Sequence, residues 1–330
     1  MPKVSVLDDY QGVAYRFGRW DLLPSDVEIE VLHEHLDDET MLVSRLQDSF
    51  AIMCIRERTP FTRTLLERLP NLRLLCNTGM ANAAIDLETA TALGIVISGT
   101  SSGSGHSTPE LTWGLILSLL RSINVEDAAT RKGGWQTSIG PELKGKTLGL
   151  LGLGRIGSQM AVVGQAFGMN TIAWSANLTK ERSAELGVAL VDLDTLCAQS
   201  DILSIHVRLS ERTTGLIDSR ELGMMKPTAY LINTSRGPIV NEKALLNALQ
   251  QNAIAGAGLD TFDTEPLPQD HPLRSMPNTV VTPHIGYVSV EAYEVFYTET
   301  VENILGYLSG EPTRVMNPAV LDGGKLRPMV

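Results

Sequence analysis

The chain has 330 residues, 43% of them hydrophobic, enough to fill two packed cores at about 150 residues per domain, so disorder over its bulk is excluded. Its 27 basic and 38 acidic residues leave a formal net charge of -11, the wrong sign for a protein that neutralises phosphate backbones. The longest apolar stretch, residues 111–120, is interrupted by Thr112, Gly114 and Ser118 and falls far short of the about 20 residues a membrane span needs, so neither nucleic acid nor membrane is expected as a partner.

From the amino end, apolar runs of strand length at residues 4–7, 27–32, 50–55, 72–76 and 95–97 alternate with helical spacing over 38–47, 62–69 and 86–93. That alternation predicts a parallel sheet with crossover helices. The opening residues Met1-Pro2-Lys3-Val4 lack the order of a secretory signal, which predicts a cytoplasmic protein. Cys54, Cys76 and Cys197 are odd in number, far apart and flanked by apolar residues, so buried thiols are expected and neither a disulfide frame nor a metal site.

The stretch Gly99-Thr100-Ser101-Ser102-Gly103-Ser104-Gly105 cannot bury an apolar face and reads as a connector. Pro109 suits the first turn of a helix running to Leu120. A second series of six strands follows at 147–151, 171–174, 202–207, 229–233, 256–260 and 279–282, and a last helix is expected over about 289–308, packed back on the first unit. The expected fold is therefore α/β, with two doubly wound parallel-sheet domains. Residues 1–102 and 288–330 form a smaller domain, which the family resemblance carried by the motifs that follow implies to be flavodoxin-like and substrate-binding, and 103–287 form a Rossmann dinucleotide-binding domain.

The strand at 147–151 runs straight into Gly152-Leu153-Gly154-Arg155-Ile156-Gly157 and a helix, the context in which GxGxxG binds a dinucleotide pyrophosphate. Gly152 allows the tight turn, Gly154 the close approach of the phosphates and Gly157 the packing of helix on strand; Arg155 and Ile156 lie in the same loop. At the end of the next strand, where an NAD site places a carboxylate on the ribose, stand Ser175, Ala176 and Asn177. Lys180 and Arg182 are near enough in sequence to meet a 2'-phosphate, so the cofactor is NAD or NADP.

Three more segments follow predicted strands: Asn233-Thr234-Ser235-Arg236-Gly237-Pro238, residues 258–268 around Asp260 and Glu265, and Thr282-Pro283-His284-Ile285-Gly286. In an open parallel sheet, loops at the carboxyl ends of strands converge on one crevice. With these, Thr59-Pro60, Gly94-Ile95-Val96-Ile97, Pro109-Glu110-Leu111-Thr112, Trp135 and Glu142-Leu143-Lys144-Gly145-Lys146-Thr147, nearly the whole chain resembles the D-isomer-specific 2-hydroxyacid dehydrogenases, which include phosphoglycerate dehydrogenase and glyoxylate/hydroxypyruvate reductase.

The resemblance implies hydride transfer between a nicotinamide and C2 of a 2-keto or D-2-hydroxy acid, with Arg236, Glu265 and His284 as the working residues. The chemistry agrees: histidine titrates near working pH, a carboxylate on its far nitrogen fixes the tautomer and favours imidazolium, and a guanidinium fork suits a substrate carboxylate. By the same resemblance Asp260 meets the nicotinamide carboxamide, Thr234 and Ser235 line its ribose, and Thr108 approaches the ring. His284, Arg236 and Gly286 adjoin the same cofactor. His206, Val207 and Arg208, at the end of a strand, are further candidates for the cofactor site.

The loop Asn77-Thr78-Gly79-Met80-Ala81-Asn82 is expected to hold the substrate carboxylate through backbone N–H groups, although Ala83-Ala84 stand where many relatives carry Asp-Asn. Arg56 and Arg58 read as a solvated surface pair, with the alternative that both add positive charge for a second acidic group on the substrate, Arg56 being the substrate-binding candidate. His33, His35 and His271 read as structural or solvent-facing, and His106 is open between gating and solvation. Tyr287, where a second glycine is common, adds bulk beside the histidine loop. A cleft closing about the connector and the segment near Gly286, and a homodimer supported by the helix from Thr108, are implied by the relatives. A cofactor-sensing, corepressor-like binding protein on the same fold is the alternative function; formate oxidation is disfavoured because relatives with that activity carry Gln in place of Glu265.

Overall fold

Runs such as Phe50-Ala51-Ile52-Met53-Cys54 form strands because both faces are covered: all six residues of Ser49–Cys54 are buried, as in a parallel sheet with helices on each side. In a computed structural model, which describes residues 1–330 apart from Ser102, Ser104, Lys325 and 328–330, the chain divides into two units. One is Met1–Ser104 with Val288–Val330, the other Gly105–Tyr287. Ser102, where the first domain is expected to end, and Ser104 of the connector lie outside the described residues.

The first unit has five parallel strands, β1 Lys3–Val6, β2 Glu28–Val31, β3 Ser49–Cys54, β4 Leu74–Asn77 and β5 Val96–Ser98, in the order β2-β1-β3-β4-β5. This is the flavodoxin-like order, whose direction reverses between β1 and β3. Its helices begin where short polar side chains satisfy their first amides. Asp38 accepts from Thr40 and Met41 N, Thr62 from Leu65 N and Asp86 from Thr89 N. Leu42, Leu46, Leu65 and Leu66 then face inward.

The helix Val290–Leu308 belongs to this unit. Its fully buried Tyr297 meets Phe17 and Trp20, and its hydroxyl donates to Asp9 Oδ1 at 3.4 Å. Beyond it, Asn317 Oδ1 accepts from Ile97 N at 2.9 Å and Asn317 Nδ2 donates to Ile95 O at 2.9 Å, tying the tail to β5.

The second unit carries β6 Thr147–Leu151, β7 Asn170–Trp174, β8 Ala189–Leu190, β9 Ile202–Ile205, β10 Tyr230–Asn233, β11 Gly256–Leu259 and β12 Thr279–Val281. They are ordered β12-β11-β10-β9-β6-β7-β8, every pair parallel. The sheet thus has seven strands and not the expected six. The extra strand, β8, is a two-residue edge pairing with Ile172 and Ala173, too short to show a period. The helix Ser107–Leu120 buries Trp113, Leu115, Ile116 and Leu120. Among the described residues no helix is long and apolar enough to cross a membrane. Cys54, Cys76 and Cys197 are free and buried.

Candidate active site

The direction of the larger sheet reverses between β6 and β9, and the glycine loop leaves β6 at that point. Gly152 has φ of 104°, a left-handed backbone that a side chain resists, and a Cβ on Gly157 would lie 2.1 Å from Gly152 O, so both glycines are required by the turn itself. Gly154 caps the helix Arg155–Ala166 in an extended conformation with no side chain accepting its first amides and no acidic residue in the first turn. A Cβ on Gly154 would point into open space. Free amides at the positive end of a 12-residue helix, with nothing but a hydrogen above Gly154, fit a dinucleotide pyrophosphate.

Around this loop, Ser175 follows β7 half-buried, Asn177 is exposed, and Arg182 reaches back so that Nη2 donates to Ser158 Oγ at 3.3 Å while Nη1 pairs with Glu185. His206 follows β9 with Nε2 at 2.8 Å from Ser204 Oγ, and burial pushes its pKa down to about 3, so the ring is neutral. Val207 O accepts from Ser235 Oγ at 2.6 Å, joining the loops after β9 and β10; Arg208 is exposed.

The loops after β10, β11 and β12 are neighbours because those strands are. At the first of them Arg236 Nη1 donates to Ser235 O at 2.7 Å, and Asn233 Nδ2 braces the turn by donating to Arg236 O at 2.9 Å. Gly237 is pressed on the next loop so closely that a Cβ there would lie 2.1 Å from the carbonyl carbon of Phe262. Three residues on, Glu265 Oε1 accepts from Phe262 N at 2.9 Å, and Glu265 Oε2 lies 2.6 Å from His284 Nδ1. The pair is partly open to solvent, with 17% of the His284 side chain and 32% of the Glu265 side chain exposed.

His284 has φ of 52°, a conformation uncommon for a residue with a side chain, and the loop that imposes it hangs on Asp260. Asp260 is wholly buried; its Oδ1 accepts from Thr282 Oγ1 at 2.6 Å and Ile285 N at 2.8 Å, and its Oδ2 from Gly286 N at 2.8 Å. Burial raises its pKa, against the pull of these donors and of His284. Thr108 Oγ1 closes the loop from the other side by donating to Gly286 O at 2.8 Å.

The structure thus brings Glu265 and His284 into contact, and it gives several other candidate residues partners within the protein. Both oxygens of Asp260 accept from the histidine loop. Thr234 is buried with its hydroxyl 2.9 Å from Thr112 Oγ1, and Thr108 is engaged by Gly286. Sequence spacing held no signal for these long-range partners, since a threonine or aspartate after a strand reads the same whether it faces a ligand or the protein.

In the first unit, Gly79 N donates to Thr100 Oγ1 at 2.9 Å, so that amide is already used. Met80 and Ala81 lie exposed beside it, and no protein acceptor among the described residues takes their amides. Asn77 and Asn82 brace the loop through Asn77 Nδ2 to Gly79 O and Asn82 Nδ2 to Arg56 O. The arginines are not the solvated pair expected. Arg56, at φ of 53°, lies across Gly79 and donates to Thr78 O, while Arg58 donates to Asp8 O at 2.7 Å and stacks over Tyr10. His35 is equally engaged, with Nδ1 at 2.9 Å from Asp8 Oδ1; His33 meets Asp9 O, and His271 meets Glu242. His106 precedes the helix Ser107–Leu120 and is exposed.

Comparison with known proteins bears on the same residues. Residues 113–286 match the D-isomer specific 2-hydroxyacid dehydrogenase, NAD binding domain, family. The chain is 40% identical over 267 residues to a glyoxylate reductase of Aeropyrum pernix, covering 78% of this chain and 80% of that protein. It is 37% identical over 287 residues to a D-3-phosphoglycerate dehydrogenase of Methanocaldococcus jannaschii, covering 86% of this chain but only 54% of that longer protein. The crystal structure of an oxidoreductase from Ralstonia solanacearum superposes with a TM-score of 0.92 at 39% identity, covering 99% of this chain and all of the other. With a dinucleotide loop and a family match that run through the same strands, the chain belongs to the D-isomer specific 2-hydroxyacid dehydrogenase family and is an NAD(P)-dependent oxidoreductase.

Proposed function

We propose that the protein reduces a small 2-keto acid to the D-2-hydroxy acid, and runs the reverse oxidation, with His284 as the proton donor and acceptor. The observation that carries this reading is the 2.6 Å contact between His284 Nδ1 and Glu265 Oε2. It leaves Nε2 to hold the proton that the carbonyl oxygen takes as C2 is reduced. The bound nicotinamide supplies the hydride. Arg236 receives the substrate carboxylate and polarises the carbonyl through its guanidinium fork. In the first unit, the Met80 and Ala81 amides are the groups offered to an anion. Ser175, standing in place of a ribose-binding carboxylate, leaves NADPH as acceptable as NADH, with Arg182, which donates to Ser158 Oγ, and Lys180 as the cations offered to a 2'-phosphate.

The test is NADH and NADPH consumption with glyoxylate, hydroxypyruvate and a panel of larger 2-keto acids, for the wild type and His284→Ala. Turnover on part of the panel, cut by about 100-fold or more in the variant with cofactor affinity kept, is the expected result. Tight cofactor binding with no turnover on any acid would overturn it in favour of a cofactor-sensing binding protein.

We also propose a homodimer. The helix Ile123–Arg131 has no buried residue, and Ile123, Val125, Trp135 and Ile139 around it are exposed, Ile139 fully. A run of large apolar side chains in water is the mark of an interface. Sedimentation should give a dimer at micromolar concentration and a monomer for Trp135→Glu with Ile139→Glu; a wild type found only as monomer refutes it.

A further inference from the structure

The contact with Glu265 holds one atom of the His284 ring, and a ring held by one hydrogen bond can still pivot about it and swing Nε2. A second contact is present. The ring of Tyr287 meets the imidazole at a centroid separation of 5.5 Å and an interplanar angle of 75°, an edge-to-face pair within the range in which aromatic quadrupoles attract. The two side chains also share an anchor: Ile285 N and Gly286 N, the two amides between them, are the pair held by buried Asp260. The backbone that carries both rings is therefore fixed by that carboxylate, and a swing of either ring gives up its contact with the other. Tyr287 itself is half-buried, so its ring is packed and not waving in solvent.

We infer that Tyr287 is a positioning residue for the reaction: its ring and Glu265 together hold the His284 imidazole at one orientation, so that Nε2 is presented in the same place at every turnover. The inference rests on the proposed role of His284 as proton donor. It differs from a role for Tyr287 as bulk that narrows the pocket, which would change substrate affinity and size preference and leave proton transfer alone.

The two are separated by Tyr287→Leu, which keeps bulk without aromaticity, and Tyr287→Phe, which keeps the ring. The expected result for Tyr287→Leu is a fall in kcat of about tenfold with KM and NADH affinity unchanged, since a small misplacement of a reacting group is costly. Tyr287→Phe should restore the wild-type kcat. Nitrogen-15 NMR of the histidine side chains, taken without any keto acid, should show the His284 signals broadened or averaged in the leucine variant only. If Tyr287→Leu does not fold, Tyr287→Met takes its place. Unchanged kcat and histidine signals in the non-aromatic variant would overturn the inference, as would a phenylalanine variant as impaired as the leucine one, or an effect confined to KM. A wild type that turns over no 2-keto acid would instead refute the reading of the site, and the NMR comparison would still decide whether Tyr287 orders the ring.

Discussion

Gly237→Ala tests the register of the loops that carry Arg236 and Glu265. The added Cβ would lie 2.1 Å from the carbonyl carbon of Phe262, 2.3 Å from its oxygen and 2.5 Å from Asp263 N, all of them backbone atoms with no flexible end to yield. Carbon contacts in proteins do not fall below 3.0 Å, so the two loops must part by about 0.9 Å. One of them carries Arg236 at the adjacent position; the other carries Glu265 through its bond from Phe262 N. A displacement near 1 Å between groups that act on one substrate costs on the order of 100-fold in turnover. Overpacking should also cost about 1–3 kcal/mol of stability. The glycine loop leaves β6, which β9 separates from β10, so the pyrophosphate contacts should hold and NADH affinity should fall far less than turnover. Steady-state reduction of the 2-keto acid that the panel identifies gives the first quantity, urea unfolding the second and fluorescence titration with NADH the third. A folded variant with near wild-type turnover would refute the claim that spacing between these loops sets the reaction.

Asp260→Asn replaces one acceptor oxygen by an NH2 facing donors, so at least one of three bonds is lost; at about 1.5–3 kcal/mol for a bond to a charged group, unfolding free energy should fall by that amount and kcat with it, and unchanged melts and kinetics would sink this account. Ser175→Asp restores a charge where a 2'-phosphate would sit, and the ratio of kcat/KM for NADH over NADPH should rise about tenfold or more; an unmoved ratio means the cofactor is not read there. His35 is held above its ordinary pKa of 6.5, chiefly by the bond to Asp8, with the charge of Asp37 adding and that of Arg58 opposing. Its contribution is therefore full below the unfolded value and is lost as pH rises through the folded one. Between about pH 6 and 8 the melting temperature of the wild type should fall more than that of His35→Gln, and parallel curves would show the pair to be inert.

Two kinds of feature were legible before the structure. The glycine loop was, because Gly152, Gly154 and Gly157 each answer a steric demand of one local turn, and local demands leave spacing in the sequence. The pairing of Glu265 with His284 was reached through family likeness, and the neighbouring order of β11 and β12 explains how 19 residues of separation close to one hydrogen bond. The helix Ile123–Arg131 was not foreseen: none of its residues is buried, and its apolar Ile123 and Val125 stand exposed, so it lacks the core contact that marks the other helices. The strand Ala189–Leu190 was missed for want of length. The intraprotein partners of Asp260 and Gly79 were not foreseen, because Gly286 and Thr100 lie 26 and 21 residues away, where spacing rules have no reach.

The first unit draws its strands from the beginning of the chain and its helix Val290–Leu308 from near the end, with the second unit spliced between. During synthesis the ribosome therefore delivers every residue of the nucleotide-binding fold before it delivers Tyr297, the buried ring against Phe17 and Trp20, or Asn317, the tie to β5. The half that emerges first is the last to be finished: its opening hundred or so residues must wait, with Asp9 short of a partner, for the other half to be made.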